Sequence, residues 1–92
     1  MIKVSVVAPE EPAVTLRGHL STQAVPSQDV SQLLVEFELI VLEEPTSELL
    51  FDELGTGSIV SLSVGGAAFK DWEYIYRNFD GFLFRQRFNQ PI

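Results

Sequence analysis

GTGSIVSLSVGGAAFKDWEYIYRNFDGFLFRQRF, residues 55–88, holds alternating apolar runs separated by glycine-bearing turns. In Ser58–Val64, residues Val60, Leu62 and Val64 alternate with Ile59, Ser61 and Ser63, the two-residue period of a strand with one buried face. Gly65-Gly66 follows as a hairpin signal, because a tight turn of that kind needs positive φ at its central residues. A second strand falls within Ala68–Asn78, where Trp72, Tyr74 and Tyr76 alternate with Glu73, Ile75 and Arg77. Asn78-Phe79-Asp80-Gly81 turns the chain again. Phe82, Phe84, Gln86 and Phe88 then alternate with Leu83, Arg85 and Arg87. Strands in sequence, joined by short turns, form an antiparallel meander, and the rest of the chain must cover its apolar face.

Upstream, the same period recurs. Ile2, Val4 and Val6 mark a first strand, which Pro9 and Pro12 stop. Ala13–Leu20 is a second, with Gly18 as a bulge or bend. Residues 21–32 are polar and contain Pro26; they read as a loop, or as a loop with a short helical turn over Ser27–Leu33. Leu33–Leu42 is the strongest strand: Val35, Phe37, Leu39 and Val41 share one face, and Glu36, Glu38, Ile40 and Leu42 the other. Glu43-Glu44-Pro45 ends it. Thr46 or Ser47 then caps a short helix over residues 46–54, Glu48 sits near its positive end, and Leu50 and Leu54 share its buried side. Gly55 stands at its C-terminal cap. The fold class is mainly β: a small antiparallel meander or partial barrel of about six strands with one short helix. At 92 residues the chain, 1–92, is read as one domain.

Composition narrows the function. There is no cysteine, so no disulfide framework and no thiolate metal site. No run of about 18 apolar residues is present to span a membrane as a helix, and the first strand is too short for a secretory signal; a cytoplasmic protein is expected. The net charge of −7 argues against nucleic acid. Residues 1–53 hold ten acids against Lys3 and Arg17, whereas residues 54–92 hold three acids against four bases. That asymmetry is a solubilising acidic face, or a dipole by which two copies pair head to tail.

No catalytic constellation emerges, and no enzyme, cofactor or metal is expected. His19 is the only histidine and lacks a partner at recognisable spacing. Glu43-Glu44 and Asp52-Glu53 are adjacent doublets whose side chains diverge on a strand, unlike the paired acids of a hydrolase or a calcium loop. Gly55-Thr56-Gly57 leads into a strand rather than the lysine and helix start of a phosphate loop. The row Trp72, Tyr74, Tyr76 with Arg77, Arg85 and Arg87 resembles a base-stacking surface, but the charge opposes it and an inner face of a β-domain explains it. Together with Phe82, Phe84 and Phe88, that row offers more apolar surface than so small a chain easily covers. Residues 2–20 cover the excess, or a second subunit does. Trp72, Tyr74, Tyr76, Phe82, Phe84 and Phe88, with the acidic Glu43 and Glu44, are therefore the candidate protein-interaction residues.

The element order carries a resemblance. Phe37-Glu38-Leu39 on a long strand, the acidic segment Leu49–Gly55, the strand Ile59–Val64 and the turn Phe79-Asp80-Gly81-Phe82-Leu83 resemble the first hub barrel of VgrG-type spike proteins and contractile phage-tail baseplate hubs. The similarity spans residues 13–88 as a pattern of elements. It departs where one leucine, not two, precedes Gly55, and where the family continues into a second barrel, an oligonucleotide-fold domain and a β-helical needle. The resemblance implies a non-enzymatic structural part of a phage-tail-like or type VI secretion assembly, a baseplate or hub component working with protein partners, as a homo-oligomer and with a trimer among its arrangements. The alternative is an acidic binding protein, of the immunity, inhibitor or chaperone-like kind, that docks a basic partner through residues 36–53.

Overall fold

The computed structural model describes residues 1–7, 13–26, 31–45 and 49–91. Six strands follow one another: β1 Ile2–Val6, β2 Val14–Pro26, β3 Gln32–Val41, β4 Ile59–Val64, β5 Lys70–Arg77 and β6 Phe82–Pro91. They close into an antiparallel barrel in the order β1-β2-β3-β6-β5-β4. Two three-stranded meanders, β1–β3 and β4–β6, are joined along two seams, β3 with β6 and β4 with β1.

The alternation in the sequence explains the interior. Val4 and Val6, Leu16, Leu39 and Val41, Leu62, Trp72 and Tyr74, and Phe82 and Phe84 all point inward and are buried. Each contributes about 1.5–3 kcal/mol on leaving water. Gly18 lies within this wall, paired with Ile2 on one side and Val41 on the other. It is a close approach, not a bulge: an added Cβ would press on Val4, Leu39 and the Ile40 carbonyl. Gly65 and Gly66 turn with φ of 64° and 80°, the hairpin that their sequence signals. In the β5–β6 turn, the Asn78 side-chain oxygen accepts from the backbone N–H of Asp80 (2.8 Å) and of Gly81 (3.0 Å).

The expected helix over 46–54 is instead one 3-10 turn, Phe51–Glu53, between extended Leu50 and Leu54. The expected cap, Thr46 or Ser47, and the expected Glu48 lie outside the described residues. Glu44 caps the turn: one carboxylate oxygen accepts from the Phe51 N–H (2.6 Å) and the other from the Asp52 N–H (3.0 Å). These are the donors that a first turn leaves unpaired, and a charged acceptor binds them strongly. The turn drives Phe51 into one end of the barrel, where its ring meets Phe82 and Phe84 edge-on at centroid distances of 5.6 and 5.0 Å. Gly55 has no left-handed backbone; among the described glycines the positive φ values fall at Gly57, Gly65, Gly66 and Gly81.

The segment expected as a loop is also revised. β2 runs through Pro26, and residues 18–26 pair with 33–41 of β3. The termination at Pro9–Pro12 and the alternative turn at Ser27 fall on residues 8–12 and 27–30, outside the described residues.

Candidate interaction surface

β1 pairs with β2 only as far as Gly18, and β5 pairs with β6 only as far as Arg85. Beyond those points β2, β3 and β6 continue together, Val35 for instance pairing with Ala24 and with Phe88. The outcome is a three-stranded wing that projects past the open end of the barrel. The radius of gyration, 14.0 Å, exceeds the roughly 12 Å of a compact domain of this length.

The wing has two free edges among the described residues, along 19–26 of β2 and 86–91 of β6. Its inner face continues the interior of the barrel. Leu20, Thr22, Ala24, Val35, Phe37, Gln86 and Phe88 lie on it by register, and none is charged. Phe37 and Phe88 stack at 5.6 Å, and Phe88 remains 45% exposed. Residues 18–26 of β2 carry no Asp, Glu, Lys or Arg. Edge strands ordinarily use such charges to block pairing with another chain.

Where the wing meets the barrel, a cavity of about 160 Å³ opens between Leu62, Val64, Ala67, Ala68 and Trp72 below and Leu20, Phe37, Lys70 and Gln86 above. The Gln86 amide donates to the Asp71 carbonyl at 3.1 Å.

The aromatic candidates separate on this frame. Trp72, Tyr74, Phe82 and Phe84 are core, not free surface, because they lie on the inward parity of β5 and β6. Tyr76 was expected in the Trp72–Tyr74 row and is not there. The register slips at Ile75, so Tyr76 faces Leu83 and Arg77 faces Phe82. This bulge moves Tyr76 to the outer face, 51% exposed. It turns Arg77 over the Phe82 ring at 5.4 Å and onto Asp52 at 3.2 Å. Burial raises the Tyr74 hydroxyl above the ordinary tyrosine value of 10.0, Asp52 and Glu44 raise it further, and Arg77 lowers it. Phe88 alone of the aromatic candidates is exposed on the inner face of the wing.

The acidic candidates are engaged within the chain: Glu44 caps the 3-10 turn, and Glu43 pairs with Arg17 at 2.6 Å. Part of the charge asymmetry is likewise met internally. Glu36, 9% exposed on the outer face, lies 3.8 Å from Arg85 and 3.4 Å from Arg87, and Arg85 also reaches Glu73 at 3.1 Å. All four arginines thus have carboxylate partners, whereas neither Lys3 nor Lys70 has one among the described residues. Sequence reasoning missed the exposed Lys70, which shares parity with Trp72 and lines the rim of the barrel mouth, and the tip residue Phe79, which is fully exposed.

Among the described residues no group of three or more His, Asp or Glu could hold a metal ion. No described helix is long and apolar enough to cross a membrane. No family model, curated protein or solved structure matches the chain.

Proposed function

We propose that the chain is a non-enzymatic interaction module whose projecting sheet is completed by another protein chain. The observation that carries this reading is the wing, whose three strands present an uncharged inner face and two edges that are unpaired among the described residues. Backbone groups at such edges satisfy their hydrogen bonds by strand addition, and side-chain pockets on the adjoining face supply selectivity. The setting proposed is a phage-tail-like or type VI secretion assembly in the cytoplasm, as a baseplate or hub component. Support for that setting comes from the element order quoted above and from the closing of those elements into a barrel. The rival, an acidic protein that docks a basic partner, draws less support, because Glu43 and Glu44 are already bound within the chain.

The first partner proposed is a second copy. Sedimentation over a wide concentration range tests this. Phe82→Ser and Phe84→Ser are unsuitable probes, since both side chains are core. Thr22→Lys, which charges the inner face beside the β2 edge, and Phe88→Ser are the informative variants. Association that rises with concentration, is lost in both and persists in Phe79→Ser supports the proposal. A chain that stays monomeric at the highest concentration refutes self-assembly. Sheath, tube or spike genes beside the coding sequence would support the setting.

A further inference from the structure

We propose that the cavity at the barrel mouth binds a small amphipathic organic anion, an alkyl or aryl carboxylate, with its apolar body against Trp72 and its carboxylate at Lys70. This goes beyond the assembly reading and does not rest on it. Size sets the body of the ligand: the cavity is about 160 Å³, close to the roughly 150 Å³ apolar cavity that takes up benzene. Trp72, Leu62, Val64 and Phe37 supply apolar wall. A mainly apolar site with a few placed polar groups is the usual form of a small-molecule pocket.

Lys70 sets the charge. On β5 it shares parity with Trp72 and Tyr74, so it stands on the inner side at the mouth, opposite Leu62 of β4. It is exposed, and keeping its ammonium at the rim therefore costs little desolvation. Each arginine is occupied by a carboxylate, but Lys70 has none among the described residues. Its neighbour Asp71 falls on the opposite parity, opposite Ser61. Gln86 is anchored through its amide to the Asp71 carbonyl, which holds a second polar side chain at the rim. One unpaired cation over an apolar floor favours a monoanion with a hydrophobic body. A cationic amphiphile meets Lys70 repulsively, and a polyanion meets a chain of net charge −7 with one cation to hold it.

Trp72 is the only tryptophan and lines the cavity, so its emission reports occupancy directly. The whole chain is titrated with hexanoate, hexan-1-ol and hexylammonium. Hexanoate is expected to change the emission saturably and to bind about two- to fivefold more tightly than hexan-1-ol, the value of one solvent-exposed ion pair. Hexylammonium is expected to bind most weakly. Lys70→Gln brings hexanoate down to the hexan-1-ol value, Lys70→Glu reverses the order in favour of hexylammonium, and Lys3→Gln changes nothing. Absence of a saturable change with hexanoate overturns the proposal. So does equal binding of acid and alcohol, or a hexanoate preference that survives Lys70→Gln in a chain with unchanged circular dichroism.

Discussion

Phe51→Ala removes the ring that fills the lower end of the barrel. Phe51 is 0% exposed, although it comes from a three-residue turn rather than a strand. Burial of the ring contributes about 1.5–3 kcal/mol, and its edge-on contacts with Phe82 and Phe84 add about 0.5–1.5 kcal/mol each. The sum agrees with the roughly 3–5 kcal/mol that Phe→Ala costs in a core that cannot collapse. A strand wall held by ladders on both sides moves inward poorly, so the upper part of that range is expected. Total stability for a chain of this length is roughly 5–14 kcal/mol. A loss of about 4–5 kcal/mol lowers the melting temperature by about 16–40 °C, at some 4–8 °C per kcal/mol. Urea unfolding followed by circular dichroism measures the loss, with Phe79→Ala as the control. Phe79 also sits in a turn but is fully exposed, and its removal should change stability by less than about 0.5 kcal/mol. A Phe51→Ala loss below about 1 kcal/mol, or equal losses in the two variants, would refute the assignment of Phe51 as the plug.

Gly81→Ala should destabilise strongly, because φ is 150° and an added Cβ would collide with the Val41 carbonyl; an unfolding midpoint equal to that of the parent would contradict this. Tyr74 keeps its proton to higher pH when folded than when unfolded. Its contribution to stability is therefore complete below pH 10.0 and is lost as pH rises through the folded value. Tyr74→Phe should flatten the alkaline decline in urea midpoint, and an unchanged slope would count against it. Glu36→Gln leaves Arg87 without a charged partner and Arg85 with Glu73 alone; a loss of about 1–2 kcal/mol, smaller at high salt, is expected from denaturation at two ionic strengths.

The strands were legible where apolar and polar residues contrast. Val35–Val41 and Val60–Val64 name their own inner faces, and Gly65-Gly66 and Asn78–Gly81 name their turns. Residues 21–26 hid a strand because Ser21, Thr22, Gln23 and Ala24 offer little contrast; β3 confers their order by pairing with them. The slip at Ile75 was invisible because a bulge is a backbone event, and no glycine marks it. It separated Tyr76 from the row to which simple alternation assigned it. Glu44 could not be recognised as the cap from spacing, since it reaches a turn seven residues ahead across intervening chain. The candidate surface was legible in kind, an aromatic excess, but misplaced. Most of that excess fills the barrel, and what remains outside is Phe88 on the wing, with Phe69, Tyr76 and Phe79 elsewhere.

The seams that join the meanders are unequal. β3 and β6 are held by ten residue pairs, β1 and β4 by three. Sub-global opening follows the cheapest route, so breathing of the closed ring starts between β1 and β4 and leaves the long seam intact. The opened form is a flat ribbon of the same six strands, with β1 and β4 as its new borders and Val4, Val6 and Leu62 wetted. Amide exchange at Ser5, whose backbone N–H faces Ser63 across that join, should thus outpace exchange at Leu39.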